Sequence, residues 1–319
     1  MITSDEIREL TVANSSEKDR PAYLSAASGL VCVQSWIYVI ADDEHHLGVF
    51  RKDSQAPGTL FRLIDGELPP GKVDRKIQKP DFEALLRLPA FESYPTGALL
   101  AAGSGSRANR QAGVLVGLDN EGALQGNPKK VDLSFIYGPL ADEVAALNIE
   151  GAVVLGSELL LFQRGNKKNS ANAIAHFSLT AFLEALGAAE PALVKPLFSQ
   201  TFDLGQINGI PLSFTDAVAL PNGDLVFSAV AEDTDDNYND GRCAGSALGM
   251  LSADGGRRWL RKLDRPYKIE GLDARLDGEY LKTLMVTDAD DIARPAKLLS
   301  SSTPYAPAAY REGFEPFVA

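Results

Sequence analysis

Apolar residues in this chain come in short stretches cut by turn residues, the pattern of short β-strands rather than of helices. The segment after residue 150 shows it most plainly. Ala152–Leu155 predicts a strand, Gly156-Ser157 a tight turn and Glu158–Phe162 a second strand. A polar loop, Gln163–Asn172, leads to a third strand, Ala173–Leu179. A short helix, Thr180–Leu186, then precedes a fourth strand, Leu197–Leu204. The next unit repeats the plan with Ala217–Leu220, the turn Pro221-Asn222-Gly223, Asp224–Val230, a long acidic loop, Ser246–Leu251 and Arg258–Leu263. Trp36–Ile40 and Ala98–Ala102 fit as the second strands of two earlier units.

A short signature opens each unit. It reads Phe82-Glu83-Ala84-Leu85, Ile149-Glu150-Gly151-Ala152, Thr215-Asp216-Ala217-Val218 and Ile269-Glu270-Gly271-Leu272, with Ala27-Ser28-Gly29-Leu30 as a fifth copy that lacks the acid. Self-similarity at intervals of roughly 54–67 residues signals a repeat architecture. Four-stranded units repeated radially predict an all-β fold, a β-propeller of five blades forming one domain over residues 1–319. A sixth blade, the alternative, would need roughly 40 further residues, and no interval contains them. A β-sandwich is the competing all-β reading. The last unit has Leu272–Arg275, Leu281–Val286 and Ala296–Leu299 but no fourth strand. A spare strand, Glu6–Val12, lies at the other end of the chain and is expected to close the ring.

Composition narrows the partners. Forty-three acidic residues against 31 Lys and Arg leave a net charge of −12, which repels phosphate backbones and anionic membranes. A small-molecule ligand at the channel rim is the expected partner, and the oligomeric state is unread. Cys32 and Cys243 are too few for a disulfide framework and show no zinc spacing. The N-terminus has no basic-then-apolar leader, so a cytoplasmic location is the default expectation. No apolar run reaches the roughly 18 residues of a membrane span.

In an antiparallel hairpin the start of the first strand and the end of the second share one edge. If first strands line the channel, one rim gathers Ser28, Glu83, Glu150, Asp216 and Glu270 with the loops Asp42–His46, Gly103–Arg110, Gln163–Asn166, Glu232–Gly241 and Asp288–Asp291. Carboxylates so close cannot all stay ionised without compensation. A hard cation such as Ca²⁺ could sit among Glu83, Glu150, Asp216 and Glu270, joined by Asp233, Asp235 or Asp288. Asp233 to Asn237 has alternate oxygen ligands, but Tyr238 stands where a calcium-binding EF-hand needs Gly, so that motif is rejected. Alternatively arginines pair with the acids, or backbone N–H groups of the next blade cap them as staples. Arg107, Arg110, Arg164 and Asn166 are candidates for gripping an anion. His45 and His46 follow three acids. Adjacent loop histidines can point the same way, so either could act as general base beside Glu150, with surface exposure as the plainer alternative. His176, mid-strand, reads as structural.

The motifs Leu147–Ala152, Phe162–Asn166, Lys268–Leu272 and Val286–Asp290 resemble those of the phytase-like and esterase-like β-propellers of bacteria. The likeness spans nearly the whole chain in short, degenerate pieces. It implies a calcium-bearing propeller that hydrolyses an ester or phosphoester. Two departures stand out. Those enzymes cluster lysines with their acids where this rim offers mainly arginines, and they usually have six blades. Two functions follow as expectations: a divalent-metal-dependent hydrolase of a small anionic ester, or a non-catalytic propeller that binds a small molecule or protein.

Overall fold

The computed structural model describes residues 1–13, 20–69, 71–165, 171–233, 241–253 and 255–305. It is a five-bladed propeller. After β1 (Asp5–Glu9), the first blade is β2 (Ala27–Val33), β3 (Trp36–Ala41), β4 (His46–Arg51) and β5 (Thr59–Arg62). A short helix, α1 (Lys72–Gln78), leads to the second blade: β6 (Phe82–Leu88), β7 (Ala98–Gly103), β8 (Ala112–Leu118) and β9 (Leu124–Asp132). Helix α2 (Ser134–Ala141) precedes the third, which is β10 (Ile149–Leu155), β11 (Glu158–Gln163), β12 (Asn172–Ser178), then α3 (Leu179–Gly187) and β13 (Phe198–Phe202). The fourth blade is β14 (Gln206–Ile207), β15 (Ile210–Ala219), β16 (Leu225–Asp233), β17 (Arg242–Leu251) and β18 (Arg257–Lys262). The fifth is β19 (Ile269–Asp277), β20 (Tyr280–Thr287) and β21 (Lys297–Pro304). Among the described residues no helix is long and apolar enough to cross a membrane.

Every blade is an antiparallel meander, and β2, β6, β10, β15 and β19 meet their neighbours in a closed ring. The buried apolar residues sort into five clusters, each shared by two adjacent blades. Val33, Tyr38 and Ile40 of the first blade pack with Leu85, Leu99 and Val114 of the second, and the pattern recurs around the ring. A single blade has two apolar faces and no core of its own, so only stacking against both neighbours removes them from water.

The N-terminal segment closes the ring as expected. β1 pairs with β21 as the outermost strand of the fifth blade. The strand ends earlier than the expected Val12, because Leu10 to Ala13 leave the sheet to bond elsewhere. Leu10 N–H donates to Ala296 at 2.8 Å, and Ala13 N–H donates to Gly58 of the first blade at 2.8 Å. At the other end, Ile2 N–H donates to Lys262 of the fourth blade at 2.8 Å. Ile2 and Leu10 are therefore buried in two different interblade clusters.

The ring's centre explains the small residue of the repeated signature. A methyl on Gly271 would lie 2.9 Å from backbone atoms of Gly29 and Leu30, and one on Gly151 would lie 3.1 Å from the Cα of Asp216. At these positions the inner strands approach too closely for a side chain on glycine. Gly271→Ala is accordingly expected to lower stability by about 1–3 kcal/mol through overpacking. Urea denaturation checks this, and an unchanged midpoint would contradict the pinch.

Candidate functional site

Each inner strand carries a β-bulge near its start, between Ala27 and Gly29, Phe82 and Ala84, Ile149 and Gly151, Phe214 and Asp216, and Ile269 and Gly271. A bulge leaves one residue outside the ladder and re-aims its side chain. The five bulged residues are Ser28, Glu83, Glu150, Thr215 and Glu270. The alignment read from sequence is therefore corrected by one position in the fourth blade, where Thr215 is the equivalent of the acids and Asp216 fills the small-residue position. Ser28 and Thr215 both use their hydroxyls as staples, donating to the carbonyls of Phe82 at 2.5 Å and Ile269 at 2.7 Å on the following blade. Asp216 is a staple too. It accepts from the N–H of Leu272 on the next blade and of Ala217, each at 2.7 Å, and does not join the expected metal set. Burial nonetheless pushes its carboxyl well above the usual range.

The three glutamates enter a charged cluster that spans the blades at one mouth of the channel. Arg164, from the loop after β11, ties three of its carboxylates together. It meets Glu150 at 3.1 Å, Glu232 at 2.5 Å and Glu270 at 3.8 Å. Gln163 sets that loop: it is buried, its carbonyl accepts from Asn148 N–H, and its amide donates to Ala146 and Arg164 carbonyls. Asn148 in turn donates to the second oxygen of Glu150 at 2.5 Å. Lys268 reaches Asp290 at 2.6 Å, Glu270 at 3.4 Å and Asp288 at 3.6 Å. Lys79, at the end of α1, pairs with Asp42 and, at 2.9 Å, with Asp81. Arg110 also binds Asp81, at 2.8 Å.

Carboxylates outnumber the cations here, and their protonation shows it. Burial pushes Glu270 up to about 7, while Lys268 and Arg164 pull it back. Burial, then repulsion from Glu150, Asp81 and Asp42, pushes Glu83 well above its usual range. Asp288 is raised by burial against the pull of Lys268. Burial would weaken the proton on Arg164, but Glu150, Glu270 and Glu232 more than reverse that. Glu83 differs from the other glutamates. Among the described residues it has no hydrogen bond and no ion pair, and it stands with Asp42 and Asp81 so that one oxygen of each lies within 4.8 Å of the others.

Several expected site residues fall elsewhere. Successive residues at a strand start face opposite ways, so the two histidines diverge. His45 meets the Gly66 carbonyl at 3.0 Å and lines a cleft of about 210 Å³ between the first two blades. His46 is buried against Arg20 at 3.3 Å and Glu44 at 3.6 Å. Neither contact involves Glu150, which itself holds Arg164 in place. Arg110 is buried on Asp81, while Arg107 lies exposed before the 3₁₀ turn Ala108–Arg110. Asp233 ends β16, exposed and opposite Arg242. Asn166 and Asp235 lie outside the described residues.

Lys79, Asp81, Asn148 and Lys268 went unrecognised in the sequence. Three of them share a signal, a polar residue two positions before the acid in Asp81-Phe82-Glu83, Asn148-Ile149-Glu150 and Lys268-Ile269-Glu270.

The family's sequence profile matches residues 23–302. The chain belongs to DUF6929, a family of unknown function. No curated protein matches it in sequence. Among solved structures, a luciferin-regenerating enzyme is similar with 10% identity and a TM-score of 0.44, over 96% of this chain and 95% of that one. A glucose dehydrogenase is similar with 15% identity and a TM-score of 0.44, over 93% and 98%. The hydrazine synthase of Kuenenia stuttgartiensis shares 11% identity at a TM-score of 0.39, over 87% of this chain and 60% of its own. At such identities and scores these likenesses carry nothing about the activity of a DUF6929 protein.

Proposed function

We propose that the acidic mouth is a divalent-cation-assisted hydrolytic site for a small anionic ester, with Glu83 among the ligands of the cation. The observation that carries this reading is Glu83 itself, a carboxylate with no hydrogen bond or close ion pair among the described residues, held beside Asp42 and Asp81 with Lys79 partly offsetting its charge. Three carboxylate oxygens at that spacing suit a hard cation in donor type. Lys79 already neutralises Asp42 and Asp81, so a cation would compete with its ammonium. Ca²⁺ held by Asp42, Asp81 and Glu83 would supply the positive charge that polarises an ester oxygen. Burial and its acidic neighbours hold the Glu83 carboxyl well above its usual range, and a bound cation would offset that repulsion and favour the carboxylate. Lys79 and Lys268 put lysine among the acids, as in the phytase-like propellers whose motifs this chain resembles.

The test is Glu83→Gln. Thermal unfolding of chelator-treated wild type should rise on titration with Ca²⁺, Mg²⁺ or Mn²⁺, by about 2.7 kcal/mol at a hundredfold excess over Kd. The variant should lose that rise. Hydrolysis of p-nitrophenyl phosphate or acetate should fall together with the lost cation in the variant. If no metal shifts the wild type and neither ester is cleaved, the mouth is a non-catalytic binding rim. The locking of Glu150, Glu232 and Glu270 onto Arg164 favours that second reading.

A further inference from the structure

The outside of a propeller is a ring of edge strands, each offering unpaired N–H and C=O groups to another chain. Proteins guard such edges with charge or proline. Four of the five edges here are guarded. β1 and β18 are mostly charged, β9 holds Pro128, Lys129 and Lys130, and β5 ends on Arg62. β13 is the exception. Phe198-Ser199-Gln200-Thr201-Phe202 carries no charge and is exposed from Phe198 to Thr201. Leu197 and Phe198, exposed by 59% and 51%, stand at its start.

The strand is also nearly the same read in either direction. Antiparallel pairing with itself about Gln200 sets Phe198 opposite Phe202, Ser199 opposite Thr201 and Gln200 opposite its own copy. Aromatic and hydroxyl cross-strand pairs are favourable ones, and this pairing is the two-fold arrangement of an isologous dimer. The strand itself is uncharged, and the nearby carboxylate, Glu143, is held by the Ser199 hydroxyl at 3.0 Å. The edge is held in place from behind. β13 pairs with β12 along its length, Phe198 stacks on His176 at 4.1 Å, and Phe202 packs on Phe214 at 5.8 Å.

We infer that β13 is a self-association edge: two copies of this chain pair β13 to β13, antiparallel and centred on Gln200, to join their third blades into one continuous sheet. Sedimentation velocity across a wide concentration range tests this on the full chain, with Gln200→Lys and, as a control on another edge, Thr59→Lys. The wild type and Thr59→Lys should dimerise alike. Gln200→Lys should stay monomeric with unchanged circular dichroism and melting temperature. Gln200→Cys should cross-link into a covalent dimer on mild oxidation, and Thr59→Cys should not. A wild type that stays monomeric throughout, or a dimer that Gln200→Lys leaves intact, would overturn the inference.

Discussion

Replacing Arg164 with methionine is expected to cost about 3–5 kcal/mol of unfolding free energy at neutral pH, the usual penalty for stranding buried charge. Methionine keeps much of the apolar stem, so the loss isolates the guanidinium. Glu150, Glu232 and Glu270 would remain buried with one shared cation removed. The deficit should depend on pH, and the sign follows from linkage. Glu270 is raised in the folded state to about 7 from an ordinary 4.5. Between those values the folded chain binds more protons than the unfolded one, so this group's contribution to stability falls as pH rises through that window. Removing Arg164 raises the folded pKa values of Glu150 and Glu270 further and enlarges the fall. Below about pH 4.5 the carboxyls are neutral in both states, and the difference between variant and wild type should shrink. Urea denaturation of both proteins at pH 5 and pH 8 measures it. A deficit under 1 kcal/mol, or one larger at pH 5, would mean that the cluster is not held as described.

Deleting residues 1–12 should have the larger effect. The segment touches the fourth, fifth and first blades, so its loss opens the ring rather than trimming one blade. It removes Ile2, Leu10 and Val12, all buried, each contributing roughly 1.5–3 kcal/mol. The sum is about 5–9 kcal/mol, against the 5–15 kcal/mol that holds a typical domain folded. It also bares the edge of β21 to aggregation. The truncated chain is expected to lack a cooperative thermal transition, and a synthetic peptide of residues 1–12 added in excess should restore part of it. A melting temperature within a few degrees of the full chain's would show that the ring closes without the strap.

Strand positions were legible because each strand has short-range punctuation. Gly156, Pro221-Asn222-Gly223 and their counterparts sit at the turns, and the predicted strands match the observed ones to within a few residues in the third blade. β15 is an exception. It starts at Ile210, well before the expected Ala217, because its early residues pair with β14 and β16, partners that local pattern does not reveal. The same bulge that aims Glu150 into the mouth hides the fourth blade's register. Thr215 and Asp216 are adjacent and both polar, and only the ladder tells which one is unpaired.

From the sequence alone come the five units, the strand that completes the last of them and an acid near the start of four inner strands. These are local or periodic properties, repeated often enough to be read without coordinates. Tertiary structure alone decided which charges meet. Arg164 joins Glu150, Glu232 and Glu270 from three different blades, and Lys79 reaches across from a helix between blades. His45 and His46, neighbours in the chain, part company for the same reason. A side chain's direction depends on the register of its strand, and its partner depends on how the blades close around the axis. Neither is encoded within reach of the residue itself.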